Sequence, residues 1–367
     1  MKLVLVGGHL APVLAVLDAI PKDCDVSCIG RKYALEGDQA VSLEYTTIHS
    51  QGIKFYTLTS GRLQRALTPH SFSSLVKIPY GFFQSFTLLF QLKPDVVLSF
   101  GGYLSVPVCF AAFFLGIPVV IHEQTLGAGL ANRMITPLAR RVCVSWETSL
   151  RYFPRSKTIL TGNPIRHFSQ KFAELPKGSS PLIFITGGSS GSHVLNVLVE
   201  GCIRTMVKRY RVIHQTGDAK GFADYERLKK IRDSLPENIR ERYVTQKFID
   251  PCAIGAIMEE STLIVSRAGI NTVTEIMYAG KPCLLVPFPY GQSGEQMKNA
   301  QFLQSVGLAS VVSQDKLTSD VFSRRIDVMI RSKEEYADKA KHARGMMMLD
   351  AAERVVKEVY AVAKQKK

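Results

Sequence analysis

Residues 266–289 read SRAGINTVTEIMYAGKPCLLVPFP. A turn of small residues leads into a helical stretch with a single acid, Glu275, and then into an apolar run around 282–287. Such a run, without polar alternation, suits a strand buried on both faces, as in parallel sheets covered by helices. Sheets of that kind bind ligands outside the carboxyl ends of their strands. The turn 267–269 follows an apolar strand at 263–266, so it lies where a ligand would bind. Thr272 is a plausible helix cap, which puts Glu275 on the first turn. There the helix dipole alone would favour an acid. The alternative is a bidentate acceptor for two vicinal hydroxyls, such as those of a ribose. Arg267 suits either a phosphate or Glu275.

The same alternation runs along the whole chain. Strands are expected at 2–6, 25–29, 96–100, 118–122, 141–144, 182–186, 210–216, 244–247, 263–266 and 282–287, with helix-length segments between them, such as 12–20, 106–115, 193–208 and 272–279. The stretch LTGNPIRHFSQKFAELPKGSSP (160–181) is rich in proline and glycine and separates two complete α/β series. The chain is therefore divided into 1–163, 164–340 and a helical tail, 341–367, belonging to one long helix from about 333 that returns to the first domain. The fold class is α/β, with two doubly wound domains and a ligand cleft at the carboxyl ends of their strands.

The chain has 367 residues, 46 of them basic and 31 acidic, for a net charge of +15. This excess favours an anionic partner: nucleic acid, an anionic membrane or a phosphorylated substrate. No nucleic-acid recognition motif accompanies it, and no nucleic-acid partner is expected. Seven scattered cysteines suit reduced core thiols, and no metal-binding motif appears. The apolar start is too short for a signal peptide, and no segment reaches the ~18–20 apolar residues of a spanning helix.

Other motifs fall at strand ends. FITGGSSGSHVLN (184–196) is a strand, a glycine turn and a helix start, where backbone amides and the helix dipole favour phosphate. Ser189 and Ser190 can add hydroxyls. It matches neither a P-loop nor a dinucleotide fingerprint. PFPYGQSGEQMKNAQFL (287–303) offers Gln292, Glu295, Gln296 and Asn299 to a hydroxyl-rich ligand. In the first domain, Gly7 and Gly8 precede His9, the best-placed candidate general base. SFGGYLSVP (99–107), with Tyr103, and IHEQTLGAGLANR (121–133), with His122, Glu123 and Gln124, form further turns. Ile78, Phe82, Phe83 and Phe86 share one helical spacing with Arg62, Arg65 and Lys77 nearby, and Arg140 and Arg141 on the same domain. That stripe is either core or a membrane contact.

Taken together and in order, GGH, PDVVLSFGGYLSVP, GIPVVIHEQ, GNPIR, GGSSGSHVLN, SRAGINTVTEI…YAGKP, LLVPFP and EQMKNA resemble the MurG family, over nearly the whole chain. The resemblance implies a GT-B fold of two Rossmann-like domains with an interdomain cleft, and no metal or other cofactor. It implies inverting transfer of N-acetylglucosamine from UDP-N-acetylglucosamine to the 4-hydroxyl of undecaprenyl-diphosphate-muramoyl-pentapeptide, at the cytoplasmic side of the cell membrane, with the protein bound peripherally to an anionic surface. On matching positions, Glu275 would hold the ribose hydroxyls. Ser189, Arg166 and Arg267 would serve the diphosphate or nucleoside, Ile249 beside Phe248 the uracil, and Gln296, Asn299 and Asn196 the sugar side. Gly7, Gly8, Tyr103, His122, Glu123 and Gln124 would meet the acceptor, His9 would be the base, and Ile78, Phe82, Phe83 and Phe86 would touch the membrane.

The chain departs from the family in its first loop, which keeps one Gly-Gly pair where GGTGGH is usual, with Val6 in place of threonine. Glu295 stands for a usual glutamine and Thr125 for an asparagine. Rival expectations are another GT-B enzyme, either a UDP-N-acetylglucosamine 2-epimerase or a glycolipid glycosyltransferase, and a non-catalytic UDP-sugar-binding subunit.

Overall fold

The computed structural model describes residues 1–365 apart from 34–40, 60–68, 167–171, 189, 219–220 and 291–293, and apart from the side chains of 69–77. Two compact units emerge. The first comprises Met1–Arg166 with Met348–Lys367, and the second His167–Met347.

The first unit holds strands β1 (Lys2–Val6), β2 (Asp25–Gly30), β3 (Lys54–Thr57), β4 (Val96–Ser99), β5 (Val119–Glu123), β6 (Arg141–Val144) and β7 (Thr158–Leu160). Its helices are α1 (Leu10–Ala19), α2 (Leu43–Ser50), α3 (Pro69–Leu92), α4 (Ser105–Phe114) and α5 (Leu130–Ile135). All strands pair in parallel in the order β3-β2-β1-β4-β5-β6-β7. The order reverses between β1 and β4, the point at which a doubly wound sheet opens a crevice. β4 and β5 are buried at every residue, which is why each opens on an apolar run, VVL and VVI.

The second unit repeats the plan. Its strands are β8 (Leu182–Thr186), β9 (Arg211–Gln215), β10 (Tyr243–Gln246), β11 (Leu263–Ser266), β12 (Cys283–Leu285) and β13 (Ala309–Val311). Its helices are α6 (His193–Met206), α7 (Asp224–Asp233), α8 (Glu237–Arg240), α9 (Pro251–Glu260), α10 (Ile270–Ala279), α11 (Glu295–Ser305), α12 (Ser319–Arg331) and α13 (Ala337–Gly345). The parallel order is β10-β9-β8-β11-β12-β13, so this switch point lies between β8 and β11.

The C-terminal helix α14 (Ala351–Lys364) belongs to the first unit. Val355, Val356, Val359 and Val362 recur at helical spacing and are buried with Leu3, Leu5, Val120 and Cys143. Arg141 forms a 2.9 Å ion pair with Glu358 of this helix, so it is not a free cation of a membrane face.

Two expectations are corrected. The long final helix is broken: α13 ends at Gly345 and α14 begins at Ala351. The intervening chain runs against Gly162, where a Cβ would stand 2.7 Å from that of Met348 and 3.0 Å from that of Ala351. The second correction concerns α10. It starts at Ile270, with Gly269 as its extended N-cap, and its first turn holds no acid. Glu275 therefore lies on the second turn, beyond the reach of the terminal dipole that would have explained it as a stabilising charge.

Candidate active site

The first switch point is built by two glycine turns in contact, the second by turns that an arginine joins. In the first unit, Gly7 leaves β1 with φ 131°, and Gly101 and Gly102 leave β4 with φ 78° and 83°. A Cβ on Gly7 would stand 2.7 Å from the carbonyl oxygen of Gly101, so the two turns can touch only without it. Gly7 and Gly8 thus meet Gly101 and Gly102, the neighbours in sequence of His9 and Tyr103. His9 is the N-cap of α1 and makes no side-chain capping bond. Burial lowers the pKa of its imidazole below the ordinary value, against an opposing pull from Glu123, so the ring is neutral at pH 7 and able to take a proton.

His122, Glu123 and Gln124 end β5 as one buried block. Nε2 of His122 lies 3.2 Å from the carbonyl oxygen of Gly162, which can only accept, so Nε2 carries the hydrogen and Nδ1 is a bare acceptor. Burial holds this ring neutral, with its pKa near 4. Oε1 of Glu123 accepts from the amide and hydroxyl of Thr125 at 2.9 and 2.7 Å. Its Oε2 accepts from the Gly129 amide at 2.8 Å and from Nδ2 of Asn132 at 3.0 Å. Glu123 therefore shapes the loop 125–132. Three buried atoms beside this loop, His122 Nδ1, Gln124 Oε1 and Asn132 Oδ1, receive no hydrogen bond from the described residues.

In the second unit the turns after β8 and β11 meet through Arg267. Its Nε donates to Oγ of Ser192 at 2.9 Å, and Nη1 donates to the carbonyls of Val286 at 2.9 Å and Pro287 at 3.3 Å. Ser192 is the N-cap of α6, a helix of 14 residues. Burial lowers the pKa of Arg267, and no carboxylate pairs with it among the described residues. A half-buried guanidinium with only neutral partners, beside a helix N-terminus, has most to gain from an anion.

Glu275 is the counterpart for hydroxyls. Its half-buried carboxyl has neither hydrogen bond nor ion pair among the described residues, and burial pushes its pKa up to about 7. A carboxylate with no donor of its own has both oxygens to offer a ligand's hydroxyls.

The remaining expected residues divide. Oε1 of Gln296 accepts from the amides of Ala268 at 3.3 Å and Phe288 at 2.9 Å, tying the turns after β11 and β12 together. Asn299 is buried and donates to the carbonyl of Ala268 at 3.0 Å. Ile249 is buried while Phe248 beside it is exposed. Asn196 is 1% exposed and spends its amide inside the unit. Arg166 is bound by Asp18 of α1 at 2.7 and 3.2 Å, within the first unit. Ser189 and Gln292 lie outside the described residues, as do Arg62, Arg65 and the side chain of Lys77.

The aromatic stripe is more than a single helix face. Phe82 packs edge-on against Phe110 at 5.8 Å, and Phe86 tilts against Phe114 at 6.2 Å, so both are half-buried against α4. Ile78 is likewise partly buried. Phe83 is the exposed member, joined by Tyr80, Phe90, Phe113 and Phe114. No helix among the described residues is long and apolar enough to cross a membrane, and none of these residues forms a metal-binding cluster.

Comparison with known proteins agrees with this layout. Residues 6–144 match the glycosyltransferase family 28 N-terminal domain and residues 182–355 its C-terminal domain. A relative from Treponema denticola, named UDP-N-acetylglucosamine--N-acetylmuramyl-(pentapeptide) pyrophosphoryl-undecaprenol N-acetylglucosamine transferase, is 35% identical over 87% of this chain and 84% of its own. One of the same name from Clostridium novyi is 32% identical over 91% and 92%. The crystal structure of Acinetobacter baumannii MurG superposes with a TM-score of 0.67 at 26% identity, covering 98% of this chain and 100% of that one. The chain belongs to glycosyltransferase family 28, within the MurG family of N-acetylglucosamine transferases.

Proposed function

We propose that the protein transfers N-acetylglucosamine, with inversion, from UDP-N-acetylglucosamine to the 4-hydroxyl of undecaprenyl-diphosphate-muramoyl-pentapeptide, the step from lipid I to lipid II in peptidoglycan synthesis. The observation that carries this reading is Glu275, a half-buried carboxyl without a partner among the described residues, on the helix that follows the second switch point. It is suited to the two ribose hydroxyls. Arg267 and the N-terminus of α6 suit the diphosphate, with Gln296 and Asn299 shaping the sugar side.

In the reaction the acceptor oxygen bonds to the anomeric carbon. The bond from that carbon to the β-phosphate oxygen breaks, and its electron pair leaves with UDP. The neutral imidazole of His9 takes the hydroxyl proton, directly or through a water. Fixed positive charge at Arg267 and the α6 amides offsets the charge growing on the diphosphate, commonly the largest catalytic contribution. The turns Gly7–His9 and Gly101–Tyr103 and the block His122–Gln124 form the acceptor side.

We also propose peripheral attachment to an anionic bilayer on its cytoplasmic side, and the exposed aromatics of α3 and α4 support the attachment. Between Glu44 and Glu123 the chain has one acid, Asp95, so that stretch of the first unit carries little repulsive charge.

The test is UDP release from UDP-N-acetylglucosamine with and without a short-chain polyprenyl-diphosphate muramoyl-pentapeptide. Release that requires the acceptor, with the sugar recovered on the lipid, is expected. Release without acceptor, or none despite donor binding, would overturn the proposal.

A further inference from the structure

The turns after β8 and β9 are wedged against each other. Gly191 and Gly217 have φ 73° and 70°. A Cβ on Gly191 would lie 2.2 Å from the carbonyl oxygen of Thr216, and one on Gly217 would lie 2.2 Å from Cα of Gly191. The place of Thr216–Gly217 therefore dictates the place of Gly191 and of the α6 start that follows it.

Thr216 is in turn held by Asn196, whose Nδ2 donates to the Thr216 carbonyl at 3.0 Å. The same Nδ2 donates to Oδ2 of Asp224 at 2.8 Å. Oδ1 of Asn196 lies 3.0 Å from Nε2 of His214, and Nδ1 of His214 lies 3.0 Å from the hydroxyl of Tyr243. Tyr243, His214, Asn196 and Asp224 are all at most 4% exposed. Asp224 also accepts at Oδ1 from His193 Nδ1 at 2.8 Å and Arg227 Nη2 at 2.7 Å.

The chain has one consistent proton arrangement. The Thr216 carbonyl and the Asp224 carboxylate only accept, so the Asn196 amide must present its nitrogen to both and its oxygen to His214. His214 must then carry its proton on Nε2 and receive the Tyr243 hydroxyl at Nδ1. Burial keeps that ring neutral, with its pKa pushed down to about 3. A buried polar chain of this kind adds little net stability over an apolar filling, but once fully satisfied it selects one conformation.

We propose that the buried chain Tyr243–His214–Asn196–Asp224 sets the turn at Gly191 and the N-terminus of α6, so that its members are positioning residues for the donor's diphosphate. This rests on the UDP-sugar reading of the second unit. The effect acts through the Gly191–Gly217 contact and reaches the phosphates, not the uridine.

The test compares binding of UDP and of uridine, by calorimetry or ligand-observed NMR, in wild type, Asp224→Asn and Tyr243→Phe. Asp224→Asn turns an NH2 toward a donor in either orientation, Nδ2 of Asn196 or Nη2 of Arg227; Tyr243→Phe keeps the volume and remains informative should the first variant fail to fold. Expected is at least a tenfold loss of UDP affinity in Asp224→Asn and about threefold in Tyr243→Phe, with uridine affinity within twofold of wild type in both. Equal losses for UDP and uridine, or no loss for UDP, would overturn the inference while leaving the donor site standing. A wild type that binds neither would overturn both.

Discussion

Oε2 of Glu123 accepts the backbone amide of Gly129 at 2.8 Å and closes a loop of six residues onto the end of β5. With four donors on two oxygens, this carboxylate has no lone-pair direction to spare for a substrate. Glu123→Gln would turn an NH2 toward donors and leave at least one buried donor unsatisfied, at about 1–3 kcal/mol of stability. The expected signature is a lower melting temperature with a raised KM for the lipid acceptor and an unchanged KM for the donor. A change confined to kcat would mean that Glu123 acts in the chemistry itself.

Glu275 predicts a pH dependence for donor binding. Its folded pKa is raised to about 7 from 4.5, so the native state holds a proton that the unfolded chain has already lost over that interval. Stability of the ligand-free protein should therefore decline as pH rises from about 4.5 to 7 and level off above. UDP affinity should move the other way, since only the carboxylate accepts two hydroxyls; it should fall about tenfold for each pH unit below 7. In Glu275→Gln the affinity should be weak and flat from pH 5.5 to 8. A variant that keeps the wild-type slope would transfer the titration to another group.

His9→Ala should lower kcat by roughly 10²–10⁴ while UDP affinity stays within about twofold. Because burial lowers the His9 pKa, the acidic fall in kcat at saturating donor should begin below pH 6.5, apart from the fall in donor affinity that Glu275 brings. Turnover equal to wild type would remove His9 from the mechanism.

Gly7→Ala meets both a positive φ and the Gly101 carbonyl, so it should cost of order 1–3 kcal/mol and disturb acceptor use more than donor binding. Urea unfolding and the two KM values check this. Gly8→Ala, with nothing within 4 Å of its Cβ position, is the matched control for the stability loss.

For the membrane face the informative pair is Phe83→Asp/Phe90→Asp, because these rings are 72% and 67% exposed. Binding to vesicles containing anionic lipid should drop at least tenfold with the melting temperature nearly unchanged. Phe82→Asp/Phe86→Asp should instead unfold the α3–α4 packing. Vesicle binding that survives the first pair would assign these aromatics to another partner.

The central strands were legible because burial on both faces leaves an unbroken apolar run; β1, β6, β8 and β11 have the bounds expected from sequence. The strands β3, β7 and β13 were not, since each is three or four residues at or near a sheet edge with no residue fully buried. The helix start at Ile270 is not legible because Thr272 is a better capping residue than Gly269, which nevertheless stands as the extended N-cap. Glu275 stands out in the sequence by its neighbours, a glycine turn before it and an apolar strand after it. The chain Tyr243–His214–Asn196–Asp224 was not, because its members are 18 to 29 residues apart in their contacts and each looks like an ordinary polar residue on an apolar face.

The return of α14 to the first unit means that this unit is assembled from both ends of the polypeptide. During synthesis the apolar surface that receives Val355 and Val359 emerges first and waits while the whole second unit is made. The second unit can complete its core as soon as it leaves the ribosome; the first cannot until α14 has been made. A fragment ending at Arg166 would expose that surface, whereas one spanning 172–347 would lose none of its own core.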